Sequence, residues 1–335
     1  MAAAIASGAC GWIIDTRLHG NLSVTATFAL LAGCRIFLGA FAGGILPATQ
    51  AYVADTTLSA LRTPALALIG TGFALGLVTG PGLAAASANF GVVMLFYAVA
   101  VLAAATALFV LFTLTEPQHN HRVEQITKRT TSFRQLWVLL VIIVLTYTAY
   151  GILLQVTGFR MQDQFGLSGE AATRRAGLAL MVAAAGLVFT QIVIARSRLS
   201  TQRSGRSLLA GGVTALAAMT LLILVEGFTQ QLVGMALFGI GLGIVLPSAL
   251  GLLTVVAEAA GDQGRVGGWS GAAQGLGMVF GPLAGAIGYR FDHAAPYLIG
   301  VGLLIVVSIL SVRAIPVLST SSQDQPDTDV SRSTA

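Results

Sequence analysis

What most constrains this chain is a succession of apolar runs, each about as long as a bilayer is thick, separated by short polar segments. A helix rises about 1.5 Å per residue, so about 20 apolar residues cross the hydrocarbon layer. Such runs occur at 24–53, 65–87, 92–114, 136–158, 176–195, 208–226, 232–257, 269–289 and 296–312, giving nine full spans. Residues 1–14 form a tenth run, too short to cross alone and without the basic start of a secretory signal. Charged residues make up 9% of the chain, against roughly 25% in soluble domains. A soluble core cannot hide that much apolar surface. The sequence therefore predicts an all-α polytopic membrane protein and excludes a cytosolic enzyme.

The cations orient the spans. With 116–134 placed inside and the spans alternating from there, twelve of the 18 Lys and Arg residues fall on the inner side. Arg17, Arg160, Arg174, Arg175 and Arg290 fall outside, and Arg35 lies within a span. Cytoplasmic loops carry such an excess, so the central loop and the C-terminus are expected in the cytoplasm, in a cell (inner or plasma) membrane. The net charge of +5 does not point to nucleic acid, because the arginines are scattered and Lys128 is the single lysine. The four histidines have no metal-ligand spacing, and Cys10 and Cys34 lie in apolar stretches where packing accounts for them. No span holds the acidic, His or metal cluster that a membrane enzyme needs. The expected partners are a small-molecule substrate and the lipid bilayer, with no cofactor and no metal, and the chain is expected to act as a monomer.

The two halves repeat. Gly-Gly-Ile-Leu-Pro-Ala at 43–48 resembles Gly-Ile-Val-Leu-Pro-Ser at 243–248, with Pro47 and Pro247 separated by 200 residues. Gly76-x-x-x-Gly80-Pro81 matches Gly277-x-x-x-Gly281-Pro282 at an offset of 201. Two matches at nearly one offset indicate a parallel duplication. The expected organisation is an N-terminal helix bundle at 1–115, a cytoplasmic linker at 116–134, a six-helix bundle at 135–318 and a disordered tail at 319–335. Shifting the spans at 136–158 and 176–195 back by one repeat places their counterparts ahead of Met1. The duplication is thus expected to be 6+6, with roughly ten of twelve helices present and the first bundle holding helices three to six.

Several motifs resemble the major facilitator superfamily. Its fourth helix carries R-x-x-x-G, found here as Arg35-Ile-Phe-Leu-Gly39. The fifth helix of its drug:proton antiporter branch carries G-x-x-x-G-P-x-x-G-G. This chain has Gly76, Gly80 and Pro81, then Ala84 and Ala85 where two glycines would stand. Tyr52-Val-Ala-Asp55 followed by Arg62 resembles the cytoplasmic loop after helix four in that branch. The resemblance implies a 6+6 transporter fold and a proton gradient as energy source. It also implies a proton-coupling role for Arg35.

The residues themselves add a physical reading. Gly72, Gly76 and Gly80 recur every four residues, forming a smooth stripe that lets a neighbouring helix approach, with a kink at Pro81. Gly277, Gly281 and Pro282 are the matching gating candidates in the other half. Arg35 lies 11 residues from Val24, about 17 Å along a helix axis and so near mid-bilayer. A cation there costs roughly 2.5–3.5 kcal/mol by insertion scales. Gln50, Tyr147, Tyr150, Gln155 and Gln274 are polar groups within spans that could anchor an amphipathic substrate among apolar walls. The expected function is proton-coupled efflux of small amphipathic compounds by alternating access. The alternatives are a carrier of a metabolite, siderophore or sugar, and a non-transporting remnant.

Overall fold

The computed structural model describes residues 1–42, 45, 48–49, 52, 72, 75–76, 79–86, 90–114, 133–196, 204–260 and 263–321. Among these, the regular structure is helical. It comprises α1 (Ala2–Leu18), α2 (Val24–Ala42), α3 (Val92–Thr113), α4 (Phe133–Asp163), α5 (Gly169–Arg196), α6 (Ser204–Leu224), α7 (Phe228–Ala260), α8 (Gln263–Phe291) and α9 (Ala295–Ser321). Residues 79–86 add a further helical stretch. Seven described helices are long and apolar enough to cross a membrane: Val24–Ala42, Val92–Thr113, Leu136–Asp163, Gly169–Ile194, Gly205–Leu224, Phe228–Leu253 and Ala295–Val312. The expected span at 269–289 lies within α8, which has the length but carries nine glycines in 29 residues, so its apolar density is lower. Most of the expected span at 65–87 lies outside the described residues.

Helices this apolar must satisfy their own polar side chains. The hydroxyls of Thr106, Thr146, Thr148, Thr157 and Thr190 each donate to the carbonyl four residues earlier, at 2.6–2.8 Å. That back-bonding removes a hydroxyl that neither lipid nor an apolar core could satisfy. The turn between α4 and α5 passes through Gly166 at φ +58°, a left-handed conformation that a side chain would strain.

The chain divides into two compact units. One comprises Met1–Val123 with Leu167–Met181, the other Glu124–Gly166 with Val182–Ala335, so α5 contributes to both. In the first unit α1 packs on α2 and α3. Phe96 and Tyr97 lie against the backbone of Gly11, where an added Cβ would come within 3.2–3.3 Å of them. No residue of α2 or α3 is buried. Two long apolar helices with outward-facing Phe28, Ile36, Phe109 and Phe112 are compatible with lipid as solvent and not with water. Cys10 and Cys34 are free thiols.

The second unit carries the larger core. Leu136, Leu139, Ile142 and Ile143 of α4 pack with Leu208 of α6, Val245 and Leu252 of α7, Ala273 of α8 and Val307 of α9. Glycines bring the backbones together. An added Cβ at Gly239 of α7 would lie 1.9 Å from the Ala183 carbonyl oxygen of α5, and one at Gly241 would lie 2.6 Å from the Ala215 nitrogen of α6.

Candidate functional site

The α4–α8 seam positions the polar residues singled out from the sequence. Gly277, Gly281 and Gly285 recur every four residues and are buried along one stripe of α8. An added Cβ at Gly277 would lie 2.5 Å from Tyr147 Cβ, and one at Gly281 would lie 2.6 Å from the Thr148 carbonyl and 2.7 Å from Gly151 Cα. On the facing helix, a Cβ at Gly151 would meet Pro282 Cδ at 2.8 Å. The stripe is therefore a close-packed contact inside the second unit. It also sets the site, because the Tyr147 side chain lies against α8 one turn from Gln274.

Tyr147 Oη donates to Gln274 Oε1 at 2.9 Å, and Gln274 Nε2 donates to Ser270 Oγ at 3.2 Å. Tyr147 and Gln274 are half-buried and Ser270 is buried, while Ile143, Leu140 and Ala273 give apolar surroundings. The arrangement is a short polar ladder along an apolar seam. It offers a hydroxyl and an amide to a ligand that is otherwise greasy. Tyr150 and Gln155 lie half-buried on α4, and neither takes part in this ladder.

The first-half candidates behave differently. An added Cβ at Gly72, Gly76, Gly80 or Gly39 meets nothing within 4 Å among the described residues. Among the described residues of that segment a close approach is made at the next turn, where a Cβ on Gly177 of α5 would lie 2.8 Å from both Ala85 Cβ and the Pro81 carbonyl. Arg35 is exposed, midway along α2. Gln50, Asp55 and Arg62 lie outside the described residues.

A second polar cluster escaped the sequence reading. Arg160 was expected in an outer loop, but α4 continues to Asp163 and Arg160 sits in its last turn, 6% exposed. Its guanidinium donates to the Leu222 carbonyl, to the Val225 carbonyl at 2.7 Å and to Gln164 Oε1, and it stacks 4.9 Å from the Tyr297 ring centroid. Gln164 Nε2 also donates to the Val225 carbonyl, at 3.1 Å. Nearby, Tyr289 Oη donates to Asp163 Oδ2 at 2.9 Å, and His293 Nε2 lies 3.7 Å from the same oxygen. The only advance signal was that Arg160, Asp163 and Gln164 fall at helical spacing just past an apolar run.

The sequence profile described as Major Facilitator Superfamily matches residues 1–261. The chain belongs to this superfamily. Among curated relatives, multidrug resistance protein 2 of Bacillus subtilis is 26% identical over 289 residues, covering 82% of this chain and 70% of the relative. Multidrug resistance protein 1 of the same organism is 22% identical over 278 residues, covering 81% and 69%. Among solved structures, the human organic anion transporter MFSD10 aligns with a TM-score of 0.58 at 19% identity, covering 92% of this chain and 80% of that one. A bacterial homologue of the human lysosomal transporter Spinster, captured inward-facing and occupied, aligns with a TM-score of 0.61 at 15% identity, covering 96% and 80%. At these identities the structural likeness is one of fold. The superfamily member described here is thus a multi-pass membrane transporter rather than an enzyme.

The ladder makes a prediction within this fold. Tyr147→Phe removes one hydroxyl and leaves Gln274 Oε1 without its donor, at a cost of about 1–3 kcal/mol where water is excluded. A modest loss of thermal stability is expected, measured on purified protein. A wild-type melting temperature would mean that Gln274 finds another donor.

Proposed function

We propose that this transporter is a proton-coupled exporter of small amphipathic, drug- or antibiotic-like compounds, working by alternating access. The observation that carries the reading is the similarity to two multidrug resistance proteins over 82% and 81% of the chain. The Tyr147–Gln274–Ser270 ladder supports it, since a few polar groups on an apolar wall suit a ligand with a large apolar body and a small polar handle. Tyr150, Gln155 and Gln50 are proposed as further contacts along the substrate path. Gly39, Gly72, Gly76, Gly80 and Pro81 are proposed to shape a moving helix surface, and Gly277, Gly281 and Pro282 a firm seam within the second unit. Asp55 and Arg62 are proposed to lie in a cytoplasmic loop.

Arg35 is the proposed coupling residue. It is a cation near the middle of a 19-residue apolar helix, and such charges are costly unless they have a task. In energised membrane vesicles, extrusion of a lipophilic cationic dye should collapse on addition of a proton uncoupler. Arg35→Leu should insert at wild-type abundance, since Leu favours the bilayer, yet lose at least about tenfold in gradient-driven extrusion, a factor of ten being about 1.4 kcal/mol. Undiminished, uncoupler-sensitive extrusion by that variant would remove Arg35 from the coupling mechanism.

The proposed orientation places the 116–134 loop and the C-terminus in the cytoplasm and the transporter in the cell membrane, from the cation bias. In a background lacking Cys10 and Cys34, single cysteines at Ser200 and Gln323 should resist a membrane-impermeant maleimide added to intact cells. Strong labelling at both would invert the topology.

A further inference from the structure

The polar cluster at the end of α4 opens onto a cavity of about 290 Å³ lined by Arg160, Asp163, Gln164, Tyr289, His293 and Tyr297, with Ile223 and Ala294. Arg160 and Tyr147 are 13 residues apart on one helix, about 20 Å along its axis, so this is not the Tyr147–Gln274 ladder. We infer that this cavity is a binding site for a small zwitterionic solute, with its anionic group inward on Arg160 and Tyr297 and its cationic group on Asp163.

Three observations set that polarity. Arg160 is buried and uses three of its five N–H donors on neutral oxygens, so a full positive charge and two donors remain. Tyr297 is 1% exposed and lines the cavity; among the described residues its hydroxyl meets no partner in good hydrogen-bond geometry, nor do the two polar atoms of the Gln231 amide beside it, and the Arg160 guanidinium lies next to them. A buried hydroxyl left unpaired is costly, and an inward-pointing carboxylate would accept from it and from Arg160 together. Asp163 sits one turn further along α4, half exposed, and a carboxylate offers about four acceptor sites; Tyr289 occupies one on Oδ2, and His293 Nε2 stands 3.7 Å from that same oxygen. It leaves acceptors free for an ammonium group.

Charge accounting selects the ligand class. A simple anion would meet Asp163, and a simple cation would meet Arg160. A molecule carrying both charges complements both and brings no net charge into the cavity. The volume lies at the small end of ligand sites, suited to a solute of amino-acid size.

The test is calorimetric titration of the purified full chain in lipid nanodiscs with β-alanine, and separately with acetate and methylammonium. Saturable β-alanine binding is expected, at least about tenfold tighter than either single-charge probe. Tyr297→Phe and Asp163→Asn should each weaken it about tenfold or more while the melting temperature stays at or above that of the wild type. Absence of saturable β-alanine binding overturns the proposal. Acetate binding as tightly as β-alanine reassigns the cavity to anions. Unchanged affinity in both variants places any binding elsewhere. None of these readouts depends on transport, so they stand apart from the fate of the efflux reading.

Discussion

Gly281→Leu should abolish the folded transporter, whereas Gly275→Leu, six residues away on the same helix, should be tolerated. An added Cβ at Gly281 would lie 2.6 Å from the Thr148 carbonyl oxygen and 2.7 Å from Gly151 Cα. Both are backbone atoms, so no flexible side chain can swing aside, and α8 would have to move away from α4 along the whole stripe. Overpacking of a tight core costs about 1–3 kcal/mol and occasionally more. Here the displacement would also part Tyr147 from Gln274. At Gly275 an added Cβ meets nothing within 4 Å among the described residues. Both substitutions raise helix propensity and apolarity, by about 1 kcal/mol per residue for propensity, so only packing separates them. The measurement is the yield of monodisperse protein extracted from membranes. Equal yields would show that the seam is loose.

The spans were legible because a bilayer demands one thing of a helix, a run of apolar side chains, and α2, α3, α6 and α9 comply. The glycine stripe of α8 was legible too, since its four-residue spacing is a property of one helix. Its partner was not, because α4 lies about 130 residues earlier and nothing local in the sequence of α8 names Thr148 or Gly151. The same limit applies to the ladder. Tyr147 and Gln274 were recognisable as polar groups in apolar helices, but the bond between them is a tertiary fact. The first-half stripe is only partly within the described residues. Gly76, Gly80 and Pro81 copy Gly277, Gly281 and Pro282 in sequence, and among the described residues the close approach there is made by Pro81 and Ala85, against Gly177. Ala85 is small enough to do there what glycine does in α8. Arg160 was missed for a simpler reason. A cation just past an apolar run reads as a loop residue, and nothing in the run reveals that its helix continues for another turn.

Arg160→Leu should be the most damaging single change at that end of the second unit, and Arg160→Lys should rescue it only in part. The carbonyls of Leu222 and Val225 close α6, where the last turn of a helix has no internal donors left. Arg160 reaches both from α4, and Gln164 adds a second bond to Val225. The guanidinium therefore fastens the end of one helix to the end of another, and the negative end of the α6 dipole favours a cation there. Leucine leaves at least the Leu222 carbonyl buried without that donor and removes the charge that stacks on Tyr297. A lost donor to a buried carbonyl costs about 1–3 kcal/mol, and a desolvated cation–π contact adds about 2 kcal/mol. Lysine restores the charge as a point, but it cannot present a planar fork to two carbonyls and an amide at once. Thermal unfolding in detergent should therefore rank wild type above Arg160→Lys and Arg160→Leu last. If the leucine variant melts with the wild type, the end of α6 is held by Gln164 and apolar packing alone, and the positive charge in that cavity serves the ligand rather than the fold.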